Sequence, residues 1–200
     1  MNPVLVTGGT GFIGSHLVRA LLSRGDRVRV LDNFSTGKRE NLADIEGSLE
    51  IFEGDLRDPA LPQNVAQGVD FVFHLEAFVS VPQSMVEPQL FYDVNVSGTL
   101  NLLESARAAG IMQVVIDSSA AVYGESQELP LCEETVTQNL SPYAATEQVN
   151  EVFAGMYAHA LNLPVVALRF FNVYGSRQSP DSDYAAVIQI FIHGCGTSRL

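Results

Sequence analysis

The chain is poor in cysteine, in basic residues and in long apolar runs, and each shortage excludes something. Its two cysteines, Cys132 and Cys195, lie far apart with no partner spacing. That argues against a disulfide scaffold and reads as two free thiols in a reducing compartment. Lysine and arginine together number 11 against 23 acids, for a net charge of −12. With no basic cluster to offset it, that balance repels nucleic acid and anionic lipid, so neither is expected as a partner. No apolar run reaches the roughly 18 residues of a membrane span. The amino terminus, MNPVLVTGG, lacks the charged-then-apolar layout of a signal peptide, and a cytosolic protein is expected. The four histidines, His16, His74, His159 and His193, are scattered without ligand spacing, so no metal is expected.

What is present is an ordinary globular composition, 46% hydrophobic with 16 Gly and 9 Pro. The length suits one good-sized core, or one domain and part of another. Short β-branched runs alternate with amphipathic segments, the pattern of a parallel sheet covered by helices. Strands are predicted at Val4–Thr7, Arg27–Leu31, Leu49–Phe52, Phe71–His74, Gln113–Asp117 and Val165–Arg169. Their near-continuous apolar character fits burial on both faces. Helices are predicted at about 13–24, 95–109 and 143–161. The first carries Ile13, Leu17, Leu21 and Leu22 on one stripe and stops at Gly25.

One turn carries chemistry. GGTGFIG, with glycines at 8, 11 and 14, follows a predicted strand and opens a predicted helix. Such glycines let the backbone turn tightly and approach a pyrophosphate, which then meets free N–H groups at the positive end of the helix dipole. The second strand ends in Asp32, eighteen residues past Gly14. A carboxylate there accepts from the adenosine ribose and repels a 2′-phosphate, which favours NAD over NADP. GDLRD places Asp55 after the third strand, where it could accept from the adenine amino group or simply form a turn.

With these pieces in register the chain resembles the extended short-chain dehydrogenase/reductases, and within them the NAD-dependent sugar-nucleotide epimerases and dehydratases. The matching stretches are GGTGFIG, DNFSTGKRENL, GDLRD, VFHLEAFVSVPQS, VNVSGTLNLLESA, SSAAVYGE, SPYAATEQ and LRFFNVYGSRQSPDSDYAAVIQIFI, nearly the whole chain. The last looks most like the UDP-glucose 4-epimerase branch. The resemblance implies an α/β fold, a Rossmann-like doubly wound parallel sheet over residues 1–175, with 176–200 starting a truncated carboxyl-terminal substrate region. It implies NAD contacts at Gly8, Gly11, Phe12, Ile13, Gly14, Asp32, Asn33, Ser35, Asp55, Leu56, Leu75, Ala77, Asn95, Tyr143 and Phe171. Ser119 matches the catalytic serine and Tyr143 the catalytic tyrosine; with them, Ser84 and Asn172 match positions that touch the UDP-sugar. It also implies a homodimer contact through the helices near 95–109 and 143–161, with Ala144, Ala145 and Ala154 permitting close packing.

Oxidising a sugar C4 hydroxyl needs a base for its proton and a hydride acceptor, roles the resemblance gives to Tyr143, steadied by Ser119, and to NAD. Free tyrosine has a pKa near 10, and the family lysine one helical turn later lowers it. Here that turn holds Glu147. A carboxylate at 147 is expected to raise the tyrosine pKa and to slow catalysis severely. Other departures are Glu76 beside the cofactor phosphates, costly unless Arg or Lys answers it, Asp117 near the catalytic serine, and Val79 where some relatives carry a Lys. The epimerase reading therefore stands beside a non-catalytic NAD-binding or sugar-nucleotide-binding relative. A sugar-nucleotide 4,6-dehydratase is a further alternative, disfavoured because Ala120 and Ala121, not an Asp–Glu pair, follow Ser119.

Overall fold

The structure, a computed structural model, describes residues 2–178 together with 188 and 191. Most of the expected 176–200 region, and Cys195, thus lie outside the described residues. Cys132 is an exposed free thiol.

Six parallel strands form one sheet: β1 (Val4–Thr7), β2 (Val28–Asp32), β3 (Leu49–Glu53), β4 (Phe71–His74), β5 (Gln113–Ser119) and β6 (Val165–Phe170). Their spatial order is β3-β2-β1-β4-β5-β6, so the order reverses between β1 and β4. This is the doubly wound arrangement, and its ligand crevice opens at that reversal, beyond the carboxyl ends of the strands. Register is regular there: Thr7 pairs with Leu31 on one side and with His74 on the other.

Helix α1 (Phe12–Ser23) covers one face with Val18 and Leu21 on Val4, Val6, Val28 and Val30. On the opposite face α5 (Thr99–Ala109) and α6 (Pro142–Ala160) bury Leu102, Leu103, Ala106, Ala154 and Tyr157 against Leu5, Val72, Val114 and Ile116. The edge strand β3 carries Glu50 and Glu53, paired with Arg29 and Arg39; such charges blunt an open edge.

The predicted strands all occur, displaced by at most two residues at an end. The predicted 95–109 helix does not begin as an α-helix: Tyr92–Gly98 is a π-helical segment that runs into α5. Three short helices, α2 (Ala60–Val65), α3 (Val81–Val86) and α4 (Pro88–Phe91), fall between the predicted elements. Each holds a proline and spans four to six residues, too short to show a helical period. One expectation is corrected. Ala144 and Ala154 do not face outward for a dimer contact, since both are buried beneath α6; only Ala145 of the three is on the surface.

Among the described residues no helix is long and apolar enough to cross a membrane. Among the same residues, no group of three or more His, Cys, Asp or Glu is arranged to hold a metal.

Candidate cofactor and active site

The glycine turn is held by backbone alone. The Gly8 N–H donates to the Leu31 carbonyl at 2.9 Å, and Gly8 sits at φ +65°. A side chain there would come within 2.6 Å of the Leu75 carbonyl oxygen, and one at Gly14 within 2.1 Å of the Gly8 oxygen. Glycine is thus required for β1, the chain after β4 and α1 to meet. No side chain caps the first turn of α1, which leaves its amides facing the turn's open side.

Asp32 closes the next side. Its carboxylate accepts from the Thr10 and Phe34 amides, both at 2.9 Å, and is buried at the end of β2. Asn33 donates to Asp55 at 3.1 Å and accepts from the Ser35 amide at 2.9 Å. Arg57 grips Asp55 through two nitrogens, at 2.9 and 2.7 Å, and this bond brings the Asp55 pKa down to about 2. Between these groups lies a recess of about 50 Å³. Gly8, Gly11, Asp32, Asn33, Ser35, Leu75 and Ala77 line it, as do Thr36, Glu76, Phe78 and Val94. The last group, apart from Glu76, was not legible in the sequence, because only the fold brings the chain after β4 and the π-helical turn alongside β1.

Other predicted residues have different surroundings. Asn95 is buried, with its amide taken up by the backbone N–H and C=O of Phe78 and by Thr146. Ser84 is fully buried and donates to the Val81 carbonyl, so its hydroxyl is not on the recess surface. Leu56 is buried against Gly98, and Phe12 stands edge-on to His16. Phe171 and Asn172 are exposed, and the Phe171 ring lies 6.1 Å from that of Tyr123. Phe171, Tyr123, Arg169 and Glu151 border a larger cleft of about 530 Å³ along β6.

A buried polar chain ties the recess to α6. The Thr99 hydroxyl donates to the Asn95 carbonyl at 2.5 Å, so it accepts from His74 Nε2–H at 2.8 Å, leaving Nδ1 to accept from Thr7 at 2.6 Å. Burial pushes the His74 pKa down to about 4 and keeps the ring neutral. Asn95 then reaches Thr146, which donates to the Tyr143 carbonyl at 2.7 Å.

Tyr143 lies in the first turn of α6, whose N-cap Ser141 accepts from the Ala144 amide at 3.1 Å. Its ring is nearly buried and edge-on to Phe91. Ser119 ends β5 and caps the 3₁₀ turn Ala120–Tyr123, accepting from the Ala121 amide. That turn and β5 both pack on α6, so the serine and tyrosine belong to elements in contact.

Glu147 is 2% exposed, and its Oε1 has no hydrogen-bond partner. Burial first, then the carboxyls of Asp117 and Glu151, hold its pKa well above the ordinary carboxyl value. Burial raises Asp117 as well. Glu151 is also desolvated, yet two bonds from Arg169, at 2.7 and 2.8 Å, and one from Ser118 outweigh that and lower its pKa. These surroundings oppose the expected charge at position 147. Burial and the neighbouring carboxyls thus work against an anion at position 147, and no cation stands there to favour the phenolate of Tyr143. Glu76 is likewise desolvated, and with Asp32 and Asp55 nearby its pKa rises to about 8. Val79 is exposed.

The glycine turn, the carboxylate at the end of β2 and the reversal between β1 and β4 define a Rossmann-like α/β domain. The chain belongs to the NAD-dependent epimerase/dehydratase family of extended short-chain dehydrogenase/reductases: the family described as GDP-mannose 4,6 dehydratase matches residues 5–193. It is 41% identical over 191 residues to the UDP-glucose 4-epimerase of Mycolicibacterium smegmatis, covering 94% of this chain and 61% of that one. The solved UDP-N-acetylglucosamine 4-epimerase of Methanobrevibacter ruminantium, in complex with UDP-N-acetylmuramic acid, superposes with TM-score 0.92 at 42% identity, covering 97% of this chain and 62% of that one. The Thermus thermophilus UDP-glucose 4-epimerase, in complex with NAD, superposes with TM-score 0.85 at 42% identity, covering 94% and 61%. The chain thus spans about half to three fifths of the length of the curated relatives it matches.

Proposed function

We propose that this chain is the NAD-binding part of a cytosolic UDP-sugar 4-epimerase of reduced catalytic power, with residues 1–175 as the cofactor domain and 176–200 opening the substrate region. The observation that carries the reading is the recess itself, where seven residues expected at NAD converge beside the uncapped amides of α1. The turn amides would hold the pyrophosphate and Asp32 the adenosine ribose hydroxyls. Bound NAD would supply the hydride acceptor. Tyr143 would take the C4 hydroxyl proton and Ser119 would hold the same oxygen. Without a cation at position 147, proton transfer is expected to be slowed by roughly 10²–10⁴.

Calorimetric titration with NAD⁺ at pH 6.5 tests the cofactor part, with micromolar binding expected. Binding together with epimerisation of UDP-galactose at the rate of an ordinary epimerase would overturn the reduced-power reading. Binding with no turnover, even in the lysine variant of position 147, would favour the non-catalytic alternative. That alternative is supported by Glu147, a buried carboxyl with a raised pKa, standing where the family cation acts.

A homodimer through α6 belongs to the same proposal. Ala145, Val149, Val152 and Met156 recur at helical spacing on its exposed face, with Val152 64% exposed. Sedimentation is expected to give a dimer that Val152→Asp converts to monomer. A wild-type monomer at tens of micromolar would count against it.

A further inference from the structure

Glu76 has no counterpart in the chemistry described so far. It lies two residues past the end of β4, and its backbone nitrogen lies against the glycine turn, 2.9 Å from where a Gly8 side chain would begin. Glu76 is among the residues that line the recess, and its Oε2 is buried without a hydrogen-bond partner. The groups that face it come from two neighbouring elements. Asp32 at the end of β2 and Asp55 after β3 repel its charge, while the Leu56 amide donates to it and Arg57 attracts it from a distance. The Gly8–Thr10 turn brings no ionisable side chain, and Val94 is what the π-helical segment presents to the recess. Arg57 is already committed to Asp55 through two bonds. An ionised Glu76 would therefore be a third carboxylate in a recess meant for a dianionic ligand, with one amide and a distant guanidinium to answer it.

Resting on the cofactor reading above, we propose that Glu76 enters this site as a neutral carboxylic acid and donates a hydrogen bond from its buried oxygen to the bound dinucleotide, so that cofactor and proton bind together. A protonated carboxyl has one O–H donor, and the partnerless Oε2 is the oxygen placed to carry it. The dinucleotide presents acceptors in abundance: phosphate oxygens, ribose hydroxyls and adenine nitrogens. The unusual acid thereby becomes a specificity element. It favours ligands with an acceptor at this point, and it makes affinity fall with pH where the acid form is lost. Burial supports the same direction, since it holds the Glu76 pKa at about 8 in the free protein. Below that value the acid form predominates. Above it each NAD⁺ bound must bring a proton, so the dissociation constant rises by up to about tenfold per pH unit.

Two measurements on the full chain decide it. The first needs no ligand: carbon-detected NMR titration of the glutamate carboxyls, with Glu76 assigned by comparison with Glu76→Gln. A midpoint near 8 is expected, and one in the ordinary carboxylate range would overturn the proposal. The second is NAD⁺ calorimetry between pH 6 and 9.5 in buffers of differing ionisation enthalpy. Proton uptake approaching one per NAD⁺ is expected above pH 8, with Glu76→Gln losing both the uptake and the pH slope. Glu76→Ala, which removes the donor, is expected to bind about tenfold more weakly at pH 7. Binding that is equally tight at pH 6 and 9.5, or a Glu76→Ala variant that binds more tightly than wild type at pH 7, would overturn the proposal while leaving the cofactor reading intact. No binding even at pH 6, where the acid form prevails, would overturn both.

Discussion

Glu147→Lys is expected to raise the rate of UDP-galactose epimerisation by roughly 10²–10⁴, mostly in kcat. The side chain at 147 begins one helical turn after Tyr143 and is buried beside the carboxyls of Asp117 and Glu151. Those neighbours disfavour an anion and favour a cation. An ammonium there would find Asp117 ready to ionise as its counterion, so the charge would not be buried unpaired. Its positive field would favour the phenolate of Tyr143 over the phenol, which is the form that takes a proton. Glu147→Gln is the control. It keeps the size and removes the acid without adding a cation, and no comparable gain is expected from it. Steady-state kinetics of the two variants, with NAD⁺ binding measured beside them, separate a missing charge from a missing cofactor. An unchanged rate in a lysine variant that still binds NAD⁺ would remove Tyr143 from the role of base.

The same acid pair sets a stability profile. Relative to Glu147→Gln, the wild type is expected to lose stability progressively as pH rises above the ordinary carboxyl range. The sign follows from the direction of both pKa values. Burial and mutual repulsion raise Glu147 and Asp117, so the folded chain keeps protons that the unfolded chain has already released. Unfolding then releases protons, and stability is fully present below the ordinary carboxyl range and lost as pH rises through the folded values. Other groups act elsewhere. His74, held down to about 4, stabilises above its unfolded value near 6.5 and loses that contribution as pH falls through the folded one. Asp55, held at about 2 by Arg57, matters only in stronger acid. Denaturant unfolding at several pH values, wild type against Glu147→Gln, isolates the pair. Parallel curves would mean that Glu147 ionises freely and is not buried as described.

Much of this site could be read before any coordinates. Asp32 stood out because a strand and a glycine turn preceded it, and it does end β2, where it accepts from the turn's Thr10 amide. Tyr143 and Glu147 stood out because four residues on a helix share a face. Asn95 and Ser84 belonged to the right stretches, yet their side chains are spent on Phe78, Thr146 and Val81. No pattern in one dimension tells a satisfied polar group from one that faces a ligand. Thr36, Phe78 and Val94 were silent for the complementary reason, since only tertiary packing brings them to the recess.

Read alone, the chain's residues are enough for the six strands, the glycine turn, the principal helices and the inverted residue type at position 147. These follow from local backbone preferences and from periodic burial, which a linear pattern records. The state of the acids is settled by packing instead. Whether Glu76 and Glu147 are charged depends on how much water surrounds them and which carboxyls lie across from them. Much of this arises from elements distant in the chain: β2 and the β3 loop for Glu76, and β5, beside Glu151 of the same helix, for Glu147. A carboxyl written in the sequence is therefore driven toward its neutral form by the fold.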